Sequence, residues 1–160
     1  MTENVNENFL SYEWWKTATV DDVKAEIKKG ADVNAKDVFD VTALMVAASG
    51  NKNPEIIRTL VELGADVNAK GGGMNVLMYA AWDNENPEII RTLVELGSDV
   101  NAKDDDGMNV LMYAARDNEN PEIIRALVEL GAEDIGCSSL ALAEYNNNPE
   151  VLKILDKLTF

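Results

Sequence analysis

The sequence lacks or nearly lacks the residues on which catalytic and metal sites most often depend. None of its 160 residues is a histidine, the commonest general base and metal ligand. Its single cysteine, Cys137, cannot form a disulfide within the chain, and its apolar-periodic surroundings predict a small buried hydrophobe. No serine or cysteine stands beside a plausible base, and no carboxylate pair stands out from the general acidity. We therefore predict a protein that is not an enzyme and uses no cofactor or metal.

Basic residues and long apolar runs are also scarce. Only 14 lysines and arginines stand against 29 acidic residues, which gives a net charge of −15. This balance excludes the basic stripe that nucleic-acid binding requires and argues against anionic membrane surfaces. It favours either simple solubility or a basic protein partner. No run is long enough to span a membrane, and the first eight residues do not have the pattern of a signal peptide, so we expect a cytoplasmic protein.

Internal repetition is what the sequence has in abundance. Residues 73–97 align with residues 107–131 with only two differences in 25 positions, Trp82/Arg116 and Thr92/Ala126. A looser copy begins at Thr42. The four prolines, at positions 54, 87, 121 and 149, are spaced by 33, 34 and 28 residues. A period in this range indicates stacked supersecondary units, each of which buries its apolar face against its neighbours.

Each repeat carries the signals of a helix at the same place. An asparagine precedes a Pro-Glu pair four times, which supplies an N-cap, a first-turn proline and an acid at the positive helix end. A glycine follows as a left-handed stop at positions 64, 97 and 131. Helices are thus predicted over 54–63, 87–96 and 121–130. Their apolar residues form two adjacent rows, such as Ile89/Leu93 and Ile90/Val94, so a neighbour is expected on both sides.

The repeats resemble the ankyrin repeat over nearly the whole chain. Its T-P-L-H-x-A pattern corresponds to Thr42–Ala47, Asn75–Ala80 and Asn109–Ala114, and its linking phrase G-A-D-V-N-A to Gly30–Ala35, Gly64–Ala69 and Gly97–Ala102. Methionine replaces the motif histidine each time, so thioether packing is expected in place of the usual Thr–His hydrogen bonds. The resemblance implies an all-α fold, an ankyrin-repeat α-solenoid of five stacked helix pairs with short hairpin-like fingers.

The polarity of the two ends predicts one complete domain over residues 1–160. We divide it into an N-cap at 9–30, repeats at 31–64, 65–97 and 98–131, and a C-cap at 132–160. Asp22 and Glu26 replace apolar residues in the first unit, and Asp156 does so in the last. These three side chains should be exposed, as on solenoid caps, whereas Ile90 and Val94 should be nearly buried. We expect a monomer.

Three further features have plain structural interpretations. The run at 104–107, Asp-Asp-Asp-Gly, resembles a calcium loop, but Met108 and the lack of a glutamate at its twelfth position favour a solvated finger tip. The glycines at 71–73 lack phosphate-loop spacing and indicate turn relief in a shortened finger. Arg58 and Glu62, with their equivalents in the next two repeats, predict i,i+4 pairs on a solvated face.

The resemblance also implies where a partner binds, because ankyrin-like proteins usually hold partners with their finger tips and the exposed side of the first helix. Carried onto this chain, the first-helix positions are Val46, Tyr79, Trp82, Asp83, Tyr113, Arg116 and Asp117, and the finger positions are Val38, Phe39, Met74, Asp105, Asp106 and Met108. This set is rich in the residue types of interface hot spots. The alternative is that Tyr79 and Tyr113 merely pack along the groove between repeats.

We therefore predict a non-catalytic protein–protein interaction module that binds a protein on its concave face. That partner is basic if the acidic field takes part in recognition. An inhibitor or immunity-type protein that blocks a basic toxin or enzyme is the alternative from another class. A regulatory subunit of an enzyme complex is a third, weaker interpretation.

Overall fold

Helices dominate the fold. The structure is a computed structural model that describes residues 6–133, 142–144 and 148–157, so Cys137 lies outside the described residues. The helices are α1 (Tyr12–Trp15), α2 (Val20–Lys28), α3 (Ala43–Gly50), α4 (Pro54–Glu62), α5 (Val76–Asp83), α6 (Pro87–Glu95), α7 (Val110–Asp117), α8 (Pro121–Glu129) and α9 (Pro149–Asp156). Residues 142–144 are helical as well.

The helix ends follow from the capping residues that the sequence repeats. The Asn86 side chain accepts a hydrogen bond from the Glu88 N–H, and Pro87 occupies the first helical position of α6. Gly97 follows the helix with φ of 104°, the left-handed conformation that glycine adopts without strain. Helices α4 and α8 begin and end in the same way. The second helix of each repeat is therefore set largely by local sequence.

The helices form two layers. Helices α1, α3, α5 and α7 pack side by side in one layer, and α2, α4, α6, α8 and α9 form the other. The core lies between them, where residues such as Leu77, Met78, Ile89 and Ile90 are at most 1% exposed. Met78, which stands in the place of the motif histidine, is buried in this core, whereas its equivalent Met112 is only half-buried. The predicted all-α repeat solenoid is confirmed.

Two burial predictions at the helix surfaces were wrong. Val94 is only half-buried, because the outer row of α6 ends at the rim of the contact with its neighbours, whereas Ile90 is fully buried. Glu26 is buried, at 7% exposed, although Asp22 and Asp156 are exposed as predicted. The Nζ atom of Lys29 lies 2.6 Å from the Glu26 carboxylate and compensates its charge, which allows this cap position to be covered.

The fingers between the helix pairs are short and pack on one another. The second finger is a hairpin of strand β1 (Lys70–Gly71) and strand β2 (Met74–Asn75), and single bridges close the first and third fingers. Its Gly72 N–H donates to the Phe39 carbonyl at 2.8 Å. A Cβ on Gly71 would stand 2.2 Å from the Asp40 carbonyl oxygen, so only glycine permits this approach. The glycines were predicted to relieve strain in a turn, and they also allow the second finger to pack closely against the first.

A buried asparagine joins each repeat to the one before it. Asn51, Asn84 and Asn118 directly follow α3, α5 and α7 and are only 2–3% exposed. The Asn84 amide donates to the Ala48 and Asn51 carbonyls, both at 2.8 Å, while its Oδ1 accepts from the Asn86 N–H at 2.9 Å. Asn51 and Asn118 make the equivalent bonds one repeat earlier and later. This asparagine ladder satisfies carbonyls that the helix ends would otherwise leave unpaired.

More exposed contacts also cross between repeats. The Asn68 amide donates to the Gly97 carbonyl at 3.2 Å, and equivalent bonds are made one repeat before and after. Arg58 pairs with Glu95 of the next repeat at 2.7 Å, and not with Glu62, so the i,i+4 prediction for these arginines was wrong. Each arginine of this set reaches a glutamate one repeat further along, because the outer helices lie side by side. Exposed pairs of this kind contribute about 0.2–1 kcal/mol each.

The asparagine ladder leads to a first prediction. Replacing Asn84 by Ala leaves two buried carbonyls and one partly buried N–H without their partner, which should lower the free energy of unfolding by about 2–4 kcal/mol. Asn68→Ala removes an equivalent inter-repeat bond from an exposed site that water can enter, so its cost should stay below about 1 kcal/mol. Urea unfolding followed by circular dichroism measures both. Equal losses would contradict the role assigned to burial.

The corrected burial of α6 leads to a second prediction. Ile90→Asp places an unpaired charge in a fully buried site and should cost about 4 kcal/mol or more. Val94→Asp, one turn later on the same row, lets the carboxylate reach solvent and should cost less than about 2 kcal/mol. The midpoints of thermal and urea unfolding distinguish the two variants. A loss at Val94 as large as that at Ile90 would indicate that this row is buried along its whole length.

Candidate functional site

The exposed side of the first-helix layer carries most of the predicted site. We call this surface the first-helix face and define it by Val46, Ser49, Tyr79, Trp82, Tyr113 and Arg116, which occupy equivalent positions in successive repeats. It adjoins the fingers, because the Tyr79 hydroxyl donates to the Gly71 carbonyl at 3.3 Å. The face has an open half in the repeats that contain α3 and α5, and a closed half in the repeat that contains α7.

A pocket of about 400 Å³ occupies the open half. It is lined by Leu10, Tyr12, Val46, Ser49, Tyr79, Trp82 and Asp83. Trp82 is 44% exposed, and its ring centroid lies 6.5 Å from that of Tyr79 with the planes tilted by 48°. An indole exposed to this degree beside a second aromatic ring is a large contact surface that the fold itself does not use.

Asp83 supplies the negative charge of this pocket. Its Oδ2 atom accepts hydrogen bonds from the Tyr12 hydroxyl and, at 3.2 Å, from the Ser49 hydroxyl. Both donors are neutral, and no lysine or arginine within the described ranges forms an ion pair with this carboxylate. The pocket therefore combines apolar walls with one uncompensated charge.

Tyr12 enters the pocket from the first helix pair. Its ring passes over Gly50, which stands where the next two repeats have Asp83 and Asp117, and a Cβ at Gly50 would lie 3.1 Å from the ring. The hydrogen bond to Asp83 raises the pKa of Tyr12 to about 12, with smaller contributions from burial and from the charges of Asp83, Glu13 and Glu85. The hydroxyl thus stays protonated at neutral pH and acts as a donor.

The α7 repeat closes the equivalent space with its own side chains. The Arg116 guanidinium carbon lies 5.2 Å from the Tyr113 ring centroid, and its NH2 lies 2.7 Å from Asp117 Oδ2. Arg116 also donates to the Met108 sulfur at 3.7 Å, while the Tyr113 hydroxyl donates to Asp104 at 2.6 Å. Burial, followed by this hydrogen bond, raises the pKa of Tyr113 well above its usual range. Tyr113 is only 8% exposed and presents little surface to a partner.

The finger residues of the predicted site divide in the same way. Val38 and Phe39 stand out at the tip of the first finger, 91% and 70% exposed. Asp105 and Asp106 are exposed at the third finger, where Asp104 Oδ1 accepts the N–H groups of Asp106 and Met108. Met74 was predicted as a contact residue but is 8% exposed, because its side chain packs into the hydrophobic core. Sequence periodicity places Met74 and Tyr113 correctly along the repeat but cannot tell how deeply each lies.

Leu10 and Tyr12 are pocket residues that the sequence analysis did not select. They precede the first clear repeat and match none of its motifs, so periodicity gives no register for them. The signal that could have found Tyr12 is Gly50, a small residue where the other repeats have an aspartate, which leaves room for a ring. Among the described residues, no group of three or more acidic or thiol side chains is arranged to hold a metal ion.

The comparison with known families decides the identity of the fold. A family model described as ankyrin repeats, in three copies, matches residues 16–104 and 77–158. The chain belongs to the ankyrin-repeat family. Ankyrin repeats are generally protein–protein interaction modules, and the family is typically non-catalytic. None of the curated proteins compared with this ankyrin-repeat chain matches it. No helix in the described part of the chain is both long and apolar enough to cross a bilayer.

The bond between Tyr12 and Asp83 leads to a third prediction. Because the folded-state pKa of Tyr12 is about 12 and its unfolded value about 10, the bond should stabilise the fold below pH 10 and be lost as pH rises to 12. In Asp83→Asn the titration of Tyr12 should move toward pH ~10. Ser49→Ala keeps the carboxylate and should leave the titration high. The ring resonances of Tyr12 report both, and an unchanged midpoint in Asp83→Asn would contradict the assignment.

Proposed function

We propose that the first-helix face is the concave, partner-binding face of this ankyrin-repeat protein and that the partner is a basic protein. The observation that carries the proposal is the exposed Trp82 in an open pocket to which the uncompensated Asp83 gives a negative charge. Hot spots of protein interfaces are typically aromatic anchors of this kind surrounded by a polar rim. The outer-helix side also has a pocket, of about 340 Å³ between α8 and α9, but no aromatic side chain lines it. The arginines on that side are paired with glutamates.

The charge distribution supports a basic partner. The net charge is −15. Asp83 lines the aromatic pocket, and Asp105, Asp106 and Asp117 are exposed on the third finger and in the α7 repeat. Charges of one sign on the rim raise the association rate with a cationic partner and are screened by salt. The binding that we propose therefore weakens as ionic strength rises. The remaining predicted contacts, Val38, Phe39, Val46, Met108 and Arg116, lie along the same face or on the fingers beside it.

The first finger favours a second candidate, an inhibitor or immunity-type protein that blocks a basic enzyme or toxin. Val38 and Phe39 form an apolar tip that projects with very little cover, between Asp37 and the left-handed Asp40. An apolar tip flanked by acids suits insertion into the cleft of a cationic protein. The two candidates share one surface, and they differ in whether the partner is an enzyme that loses activity on binding.

A display selection tests the location of the site and requires no identified partner. Random peptides are selected on the immobilised protein at low salt, and selected sequences are synthesised and measured by calorimetry. Trp82→Ala should weaken their binding by about 2 kcal/mol or more, which is roughly 30-fold. Arg58→Ala, on the outer helix α4, should change affinity by less than about twofold. Both variants are compared at matched folded fractions.

The opposite pattern would overturn the proposal. If selected peptides bound Trp82→Ala as tightly as the wild type and lost affinity for Arg58→Ala, the binding surface would lie on the outer helices. If the selected peptides were acidic, or if their affinity were independent of salt, the basic-partner component would fail even with the site in place.

A further inference from the structure

Two nearly identical repeats of this chain differ at one position of the first-helix face. Residues 73–97 and 107–131 are identical except for Trp82/Arg116 and Thr92/Ala126. In the α7 repeat, Arg116 lies over the Tyr113 ring and pairs with Asp117. The chain therefore contains its own example of a guanidinium held between a tyrosine ring and an aspartate.

The α5 repeat holds the same two partners without the cation. Tyr79 and Asp83 stand where Tyr113 and Asp117 stand one repeat later, and Trp82 replaces the arginine. Both residues and Trp82 line the pocket of about 400 Å³, whose other walls come from the two preceding helix pairs. The Tyr12 and Ser49 hydroxyls both donate to Asp83 Oδ2, and Oδ1 has no hydrogen-bond partner among the described residues. One carboxylate oxygen is thus available to a ligand.

We propose that this pocket is the anchor subsite for one arginine side chain of the protein partner, whose guanidinium stacks on Tyr79 and Trp82 and pairs with Asp83. The proposal rests on the proposed function and names the chemistry of that same site. The partner's arginine restores in the α5 repeat the arrangement that Arg116 makes within the α7 repeat.

The chemistry of the pocket selects arginine over other side chains. A planar guanidinium stacks on aromatic rings and donates to a carboxylate in the same plane, whereas the lysine ammonium is a strongly hydrated point charge. A purely apolar side chain would leave the Asp83 charge partly desolvated and unpaired, which is unfavourable. Trp82 adds the best cation–π surface of the natural side chains.

A pair of small probes tests the subsite directly. Acetyl-arginine N-methylamide carries the guanidinium, and acetyl-citrulline N-methylamide is its neutral isostere. The arginine probe should shift the Trp82 indole N–H resonance and the Asp83 amide saturably, with a dissociation constant on the order of millimolar. The citrulline probe should bind at least about tenfold more weakly. Asp83→Asn should remove the preference between the two probes.

A reciprocal exchange provides the sharper test. Trp82→Arg gives the α5 repeat its own arginine and should abolish probe binding, because the cation is then supplied from within. Arg116→Trp opens the α7 repeat and should create a second saturable site, reported by the introduced indole. Each substitution copies a residue already present at the equivalent position of a neighbouring repeat, and circular dichroism confirms that both variants are folded.

Three results would overturn the arginine subsite. They are no saturable shift up to about 20 mM probe, equal binding of the two probes, and undiminished binding to folded Trp82→Arg. A further result distinguishes failure of the arginine subsite from failure of the proposed function. If display-selected peptides require Trp82 but keep their affinity when each arginine is replaced by citrulline, the face binds a partner and the arginine subsite alone is wrong.

Discussion

The fold depends on the buried asparagine that closes each first helix. Stacking helix pairs buries the carbonyl ends of α3 and α5, which have no partner inside their own helices and no access to water. The Asn84 amide reaches two of these carbonyls, and its oxygen takes the N–H that precedes the next helix. One side chain thereby satisfies groups in two repeats. Apolar packing supplies most of the stabilisation, but it is not directional, and the asparagine ladder fixes where one repeat sits on the next.

The same stacking explains why the site lies where it does. The second-layer helices cover the core from one side. Their arginines and glutamates pair between repeats, so these charged groups on the outer surface already have partners. The first-helix layer is covered by the short fingers only along one border. Its exposed positions therefore vary without cost to the core, and the Trp82/Arg116 difference falls there. In the α7 repeat Arg116 contacts both Tyr113 and Asp117. In the α5 repeat the Trp82 ring and the Asp83 carboxylate remain accessible to a partner.

Sequence periodicity predicted the helices of this fold well, but it predicted poorly how deeply individual side chains are buried. Capping residues and apolar spacing predict α4, α6 and α8 to within a residue, because those signals are local. The buried Glu26 and half-buried Val94 could not be predicted, because exposure there depends on neighbours outside the helix. Periodicity placed Tyr79 and Trp82 on one face, yet it missed Tyr12, which belongs to a unit without a repeat motif. The asparagines of the ladder recur in the sequence, but periodicity alone does not show that their hydrogen-bond partners lie in another repeat.

The near-identity of the two middle repeats has a consequence for how the chain folds. The ladder donors of the α7 repeat bind backbone carbonyls of the α5 repeat, and the α3 repeat presents equivalent carbonyls at Ala48 and Asn51. During collapse a repeat can therefore dock on the wrong neighbour, loop out the intervening one and form a kinetic trap. The second finger opposes this error. Its Gly71 packs closely against the Asp40 backbone of the first finger. The third finger has aspartates at the corresponding positions, and their Cβ atoms would clash with Asp40, so the first finger accepts the second finger and not the third.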